Sequence, residues 1–327
     1  MMYHTSQGNH KRRRIFKITI PLFFICLLFG AVLLFLTNPS ENNKTSNKTS
    51  NKEINPGKGL VKPYISISHS MIRQGDPAFI TVVGATSTAS VKSFTFDNRP
   101  LYIFTHEGQV SALLGVELRA IPGNYELVLT FNNGKQIKEN FVISKRENVR
   151  EHFDIPEKLG GNNPESERQL ISTLAEEGKI INALPVVWEK LWTEKFSLPL
   201  KIPFVVSDEY GYTRLIGKFT TMPHKGTDLE APMGTPVYAM NRGIVKFAGN
   251  LRNYGNTVVL DHGTGLQTVY MHLSQINVIL DQKVEKGDLI ALSGDSGYTL
   301  NPHLHLTIRI WDISIDPVKF IELLGEK

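Results

Sequence analysis

The sequence predicts a mainly β chain: an N-terminal transmembrane helix, an immunoglobulin-like β-sandwich domain, and a second β-rich domain that holds a group of histidines. Three observations point there. A nearly unbroken apolar run covers residues 15–36 behind a basic cluster. About seven short alternating segments, parted by turn residues, fill residues 60–144. From about Ile202 the pattern is again β, rich in Gly turns, and continues to Leu324.

Bulk properties set the bounds. A chain of 327 residues accommodates two packed domains with accessory segments. With 41% hydrophobic and 20% charged residues, the composition excludes a chain that is mostly disordered or fibrous. A net charge of +5 mildly favours anionic partners, but part of the excess sits in the N-terminal basic run, and no nucleic-acid partner is inferred. The single cysteine, Cys26, lies inside the apolar run. No disulfide within the chain and no cysteine-based zinc site can therefore form. A metal would need His and carboxylate ligands, which directs attention to the ten histidines.

Residues 1–14 end in Lys11-Arg12-Arg13-Arg14, and residues 15–36 follow as the expected anchor. At ~1.5 Å per residue this run gives roughly 33 Å, enough for a ~30 Å hydrocarbon core. Lys17 is the only charge inside it and lies where it can snorkel. The basic flank places the N-terminus on the inner, cytoplasmic side of the bacterial cytoplasmic (inner) membrane and the rest outside, as a single-pass protein. A cleaved secretory signal is the competing reading, but the run is too long and exits through Thr37-Asn38-Pro39-Ser40 without a small-residue cleavage site. Residues 37–59 are a polar tether with the low-complexity stretch Asn43 to Lys52.

The sandwich is expected over 60–144. Ile65 and Ile67 alternate with Ser66 and Ser68. Strands are then expected at 78–83, 91–96, 101–105, 110–118, 125–131 and 137–143, with turns at Gly75-Asp76-Pro77, Asp97-Asn98, Pro122-Gly123-Asn124 and Asn132-Asn133-Gly134. Its His69 and His106 stand alone and read as structural or surface residues. Residues 145–200 form a connector. In it Asn163-Pro164 caps a helix striped by Leu170, Ile171, Leu174 and Ala175, with Gly178 as the expected stop.

Residues 201–327 carry the chemistry. His224 and Asp228 are four apart, but Pro223, Gly226 and Pro232 argue against a helix. In an extended strand they would stand roughly 13 Å apart, too far for one metal. The segment must bend, and Gly226 supplies the freedom. His303 and His305 lie on a run to Ile310 that alternates as a strand. Both imidazoles then share one face, and Leu304 and Leu306 turn to a core. His272 ends a β-like run over Thr268 to Met271. Two imidazoles and one carboxylate leave a zinc position open for water, and two further histidines remain to move protons. Spacing alone does not say which of His303 and His305 would bind the metal.

From about Tyr210 to Phe320 the chain resembles the LytM/lysostaphin-type zinc endopeptidases. The resemblance rests on HKGTDLEAPMGTPVYA, GIVKFAG, YGNTVVLDHG, QTVYMHLS, VEKGDLIALSG, NPHLHL and DPVKF, in that order, after the aromatic-Gly-x-x-Arg stretch Tyr210 to Arg214. It implies an antiparallel β core with an open groove, and Zn2+ on His224, Asp228 and His305. It further implies that His272 and His303 activate water and hold the oxyanion, and that the substrate is the peptide cross-links of bacterial peptidoglycan. His262, in Asp261-His262-Gly263, matches a structural turn. The chain departs from the family at Ser296 to Asn301, where relatives carry more small residues, so Tyr298 could line the groove. It departs again at Asp281-Gln282. Two other functions stay open: a metal-free regulator of cell-wall amidases, and an envelope metallopeptidase acting on proteins or free peptides.

Overall fold

The period-two alternation over residues 64–144 becomes two facing sheets in the computed structural model, which describes residues 62–69, 71–216 and 220–326. The strands are β1 (Tyr64–Ile67), β2 (Met71–Arg73), β3 (Pro77–Val83), β4 (Val91–Phe96), β5 (Arg99–Pro100), β6 (Ile103–His106), β7 (Gln109–Gly115), β8 (Gly123–Phe131) and β9 (Gln136–Ser144). One sheet runs β1-β3-β7-β6 and the other β2-β9-β8-β4-β5. Ile80 and Val82 from the first and Phe94, Leu127 and Ile143 from the second share one buried cluster. Asn133-Gly134 does turn the β8–β9 hairpin, with Gly134 at φ +82° and Asn133 Oδ1 accepting from the Lys135 N–H. The strand expected to reach 118 ends at Gly115. A side chain there would meet Ile313, Ile315 and Ile310 of the C-terminal region at 3.2–3.3 Å, so the glycine permits a close approach.

After β10 (Arg150–His152) comes the helix α1 (Pro164–Asn182). Asn163 caps it as expected, its side chain accepting from the Glu165 and Ser166 N–H groups. It runs four residues past Gly178. Ile181 is buried against Val259, Val269 and Met271, and that packing outweighs the ~1 kcal/mol cost of a mid-helix glycine.

The remaining strands are β11 (Val206–Asp208), β12 (Thr213–Ile216), β13 (Thr220–Pro223), β14 (Thr227–Glu230), β15 (Pro236–Tyr238), β16 (Gly243–Leu251), β17 (Gly255–Asp261), β18 (Leu266–Leu273), β19 (Gln275–Ile276), β20 (Lys283–Val284), β21 (Leu289–Leu292), β22 (His303–Ile310) and β23 (Ile313–Ile315), followed by α2 (Pro317–Leu324). The main sheet is ordered β11-β14-β22-β18-β17-β16-β20, with β23 beside β22, and its pairings are antiparallel. One face is a core of Leu229, Tyr270, Leu304, Leu306 and Ile308, all at most 1% exposed. The opposite face carries the histidines.

The sandwich packs against this core, because Phe104 and Leu113 join the same buried cluster. Arg146 is the polar tie. It pairs with Asp76 of the sandwich at 2.6 Å and with Asp316, the cap of α2, at 2.9 Å. The expected anchor at 15–36 and tether at 37–59 lie outside the described residues. Among the described residues no helix is long and apolar enough to cross a membrane.

Candidate metal centre

Register places the first two side chains of the site. In the antiparallel pair β14–β22, Asp228 stands directly opposite His305 and Glu230 opposite His303. Alternation turns Leu304 and Leu306 into the core, so His303 and His305 face the other way. His224 reaches the same point from the bend between β13 and β14. The bend works through space rather than through unusual dihedrals at Gly226. A Cβ on Gly226 would collide with His305 Nε2 and come within 2.6 Å of the Leu306 carbonyl oxygen.

The three candidate ligand atoms converge. His224 Nε2 lies 3.2 Å from Asp228 Oδ1 and 3.1 Å from His305 Nδ1, and the latter two are 2.6 Å apart. These residues form a His/Asp group able to hold a metal ion, with ligand atoms within 4.8 Å of one another. Bonds of ~2.0–2.2 Å in tetrahedral geometry need ligand atoms roughly 3.3 Å apart. Two of the three separations already match, and the third requires a small opening.

The hydrogen bond behind His224 fixes its tautomer, and the one behind His305 can support the matching one. His224 Nδ1–H donates to the Glu209 carbonyl at 3.0 Å, and His305 Nε2 lies 3.0 Å from the Thr307 hydroxyl, which can accept from an Nε2–H. In that tautomer of His305 the atoms that face each other are a bare Nε2, a bare Nδ1 and a carboxylate oxygen. Three lone-pair donors at this distance repel unless a cation or a shared proton lies between them. The residues fit a divalent metal with nitrogen and oxygen ligands. All three are buried, at 2%, 6% and 8% exposure. Burial alone would raise the Asp228 carboxyl, but the His224 and His305 imidazoles hold it well below the usual carboxylate range. Burial lowers His305 to about 4, which keeps that imidazole neutral and available as a ligand.

Arg214 was visible in the sequence only as part of a motif. Its Nη2 donates to Asp228 Oδ2 at 2.9 Å and to Asp208 Oδ2 at 2.7 Å, so the second oxygen of the ligating carboxylate is held by a buried guanidinium. Asp208 gave no signal in the sequence. It becomes relevant only because β11 pairs with β14 and brings Asp208 opposite Asp228.

Strict alternation along β18 would send His272 into the core beside Tyr270. Instead a bulge interrupts the pairing with β17, and His272 takes a left-handed conformation at φ +61°. Its ring swings to the site, 4.9 Å from that of His303 and 5.8 Å from that of His305. Its Nδ1–H donates to the Ser296 carbonyl at 2.8 Å. His303 Nδ1–H donates to the Asn301 carbonyl at 2.8 Å, with the Thr299 hydroxyl 3.1 Å away. Both rings therefore offer Nε2 inward, and His303 Nε2 lies 3.5 Å from Asp228 Oδ1. Burial lowers His272 well below its ordinary value. Burial also acts against His303, but its hydrogen bond to Asp228 and that residue's charge outweigh it and raise the imidazole. The divergent loop 296–301 thus orients both rings, and its Tyr298 lines the cavity beside them.

That cavity has a volume of about 700 Å³. It extends from His224, His272 and His305 along the open face of the sheet, beneath Leu174 and Ile181 of α1, to Arg309. The other sequence candidates lie elsewhere. His262 is fully buried, with Nδ1–H donating to the Arg242 carbonyl and Nε2 accepting from the Thr268 hydroxyl, both at 2.8 Å. His106 packs between Phe79 and Trp192.

Comparisons with known proteins bear on the same region. The sequence model of peptidase family M23 matches residues 222–317. Over 97 residues the chain is 42% identical to peptidoglycan DD-endopeptidase ShyA of Vibrio cholerae, covering 30% of this chain and 23% of that protein. Over 113 residues it is 36% identical to DD-carboxypeptidase/endopeptidase Mpg of Neisseria meningitidis, covering 35% and 26%. The matches thus span about a quarter of these relatives. A crystal structure of a candidate peptidase M23 from Pseudomonas aeruginosa aligns at TM-score 0.55 and 23% identity, covering 82% of this chain and 97% of that one, which is a likeness of fold. The chain therefore carries, over residues 222–317, a peptidase M23 domain.

Proposed function

We propose that the protein is a zinc metalloendopeptidase that hydrolyses peptide cross-links of bacterial peptidoglycan, held at the cytoplasmic membrane by residues 15–36 with its peptidase domain outside. The observation that carries the reading is the convergence of His224 Nε2, Asp228 Oδ1 and His305 Nδ1, with His224 fixed to present a lone pair. His224, Asp228 and His305 would hold the zinc. A zinc ion held there would supply Lewis acidity toward the scissile carbonyl and would make an attacking water more acidic.

The remaining steps belong to the chain. His272 and His303 each present Nε2 toward the metal ligands, their Nδ1–H groups being tied to backbone carbonyls. One of them, neutral, accepts the proton of the attacking water at Nε2 and delivers it to the leaving amine, and the other, as an imidazolium that also carries a proton on Nε2, donates to the oxyanion. Arg214 holds the second oxygen of Asp228 and so sets the turn of the carboxylate. The left-handed backbone of His272 costs of order 1–3 kcal/mol, a strain that folding of the surrounding sheet maintains at the place where chemistry needs the ring. Intact ligands speak against the regulator reading, since a regulator has no need of a metal site.

Digestion of purified sacculi, with mass spectrometry of the released fragments, tests the proposal. Cleaved cross-links that disappear on chelation and return with added zinc are expected. No release from sacculi alongside cleavage of protein substrates would favour the envelope-protease alternative. No zinc and no cleavage would favour the regulator.

A further inference from the structure

The cavity that begins at the metal ligands ends at a cation. Along β22 the residues His303, His305, Thr307 and Arg309 share one face, and Arg309 lies opposite Gln267 of β18. Four residues of strand separate it from His305 by roughly 13 Å, the span of three to four residues of extended peptide. Arg309 is 5% exposed. Its Nη2 donates to Asn182 Oδ1 at the end of α1. Among the described residues it forms no ion pair, and the exposed Asp312 acts on it only at longer range. Its other N–H groups are not sealed within protein. They adjoin two cavities that meet at this side chain, of about 700 and 190 Å³, and the Tyr254 ring lines the larger one beside it.

This arrangement has a cost and no visible return inside the fold. A guanidinium carries five N–H donors and cannot shed its charge, so burying it against one neutral acceptor is unfavourable. Two other arginines whose side chains are at most 10% exposed are matched. Arg214 has two carboxylates and Arg146 two. Arg309 alone among these three meets none, and it is the one whose open side faces the groove. Carboxylates and phosphates are the anions that a guanidinium fork binds in paired fashion, and of the two a peptide substrate carries the carboxylate.

We propose that Arg309, flanked by Asn182 and Tyr254, is a substrate subsite that binds a free carboxylate of the peptide three to four residues from the bond cleaved. The subsite would make the protein select acidic stem peptides over amidated ones. The proposal rests on the peptidase reading of the metal centre, which supplies the scissile bond from which the distance is counted.

The test uses the full chain and two cross-linked stem-peptide dimers that differ only in bearing free carboxylates or carboxamides. Binding is measured by fluorescence anisotropy in the His272→Ala background, and cleavage of the same pair is measured with the unaltered protein. The carboxylate dimer should bind about tenfold or more tightly, as a charge-assisted hydrogen-bonded pair in a partly desolvated site does. Arg309→Gln should bring the two affinities together, and Arg309→Lys should leave only part of the preference. Equal affinities for the two dimers would overturn the subsite, as would a preference that survives Arg309→Gln. The comparison with Arg309 in place decides the matter even if a variant does not fold. A protein that discriminates in binding but cleaves neither dimer would remove the peptidase reading and leave the subsite standing. One that cleaves both but binds them alike would do the reverse.

Discussion

Replacing Gly226 with alanine adds one methyl group at the point where the β13–β14 bend passes β22. The new Cβ would sit on His305 Nε2, 2.6 Å from the Leu306 carbonyl oxygen and 2.7 Å from Thr307 Oγ1, where ordinary contact begins at 3.4 Å. The Leu306 carbonyl cannot yield, because β22 is held between β14 and β18 in the middle of the sheet. The bend and the His305 ring must give way instead, by about 0.8 Å or more. Overpacking of this kind costs roughly 1–3 kcal/mol of stability, which a domain of this size survives. The larger effect falls on the metal, since ligands are held to within about 0.2 Å of ideal distances. Moving the ring also breaks the hydrogen bond between His305 Nε2 and the Thr307 hydroxyl. Disturbing such a supporting bond costs 10- to 100-fold in affinity. A competition titration against a chromophoric zinc chelator should therefore show Gly226→Ala weakened by at least tenfold, with a circular dichroism spectrum unchanged. Wild-type zinc affinity in the folded variant would refute the packing argument.

Further outcomes follow from the same geometry. His272→Ala and His303→Ala should keep zinc near one equivalent but lose turnover by at least a hundredfold, whereas His224→Ala should lose both. Zinc loss in all of them would erase the division of roles. Arg146→Ala leaves Asp76 and Asp316 facing each other without their shared cation, and should destabilise the protein by about 3 kcal/mol or more, roughly 10 °C in Tm. An unchanged melting curve would mean that this tie does not join the sandwich to the peptidase domain. His262 concerns pH. Burial lowers its pKa from 6.5 to about 4, so the unfolded chain binds a proton through that window and the folded chain does not. Its contribution therefore declines as pH falls from about 6.5 to 4, by about 3 kcal/mol in all. The difference between wild-type and His262→Gln denaturation curves should shrink by that amount over the window, and a constant difference would contradict it.

Much of the fold was legible because period-two alternation dominates it. The run from His303 to Ile310 is a strand over those same residues, and its leucines lie where alternation sends them. Local signals failed where distant packing decided the outcome. Gly178 reads as a helix stop, yet the burial of Ile181 carries α1 onward. The three-residue strand β2 pairs in parallel with β9, some 70 residues away, and leaves no periodic trace. At the site, the spacing of His224 and Asp228 showed that a bend was needed. It did not show that Gly226 is required for room against His305. The inward turn of His272 depends on a bulge that alternation does not foresee. Asp208 and Arg309 matter only through register, Asp208 from pairing with β14 and Arg309 from sharing a face with His305.

Anomalous diffraction at the zinc absorption edge, from crystals of zinc-loaded protein, bears most directly on the metal centre. A single strong peak is expected about 2.0–2.2 Å from His224 Nε2, Asp228 Oδ1 and His305 Nδ1, with the fourth position open toward His272 and His303. A peak elsewhere, or none at these three side chains, would contradict the proposed hydrolase.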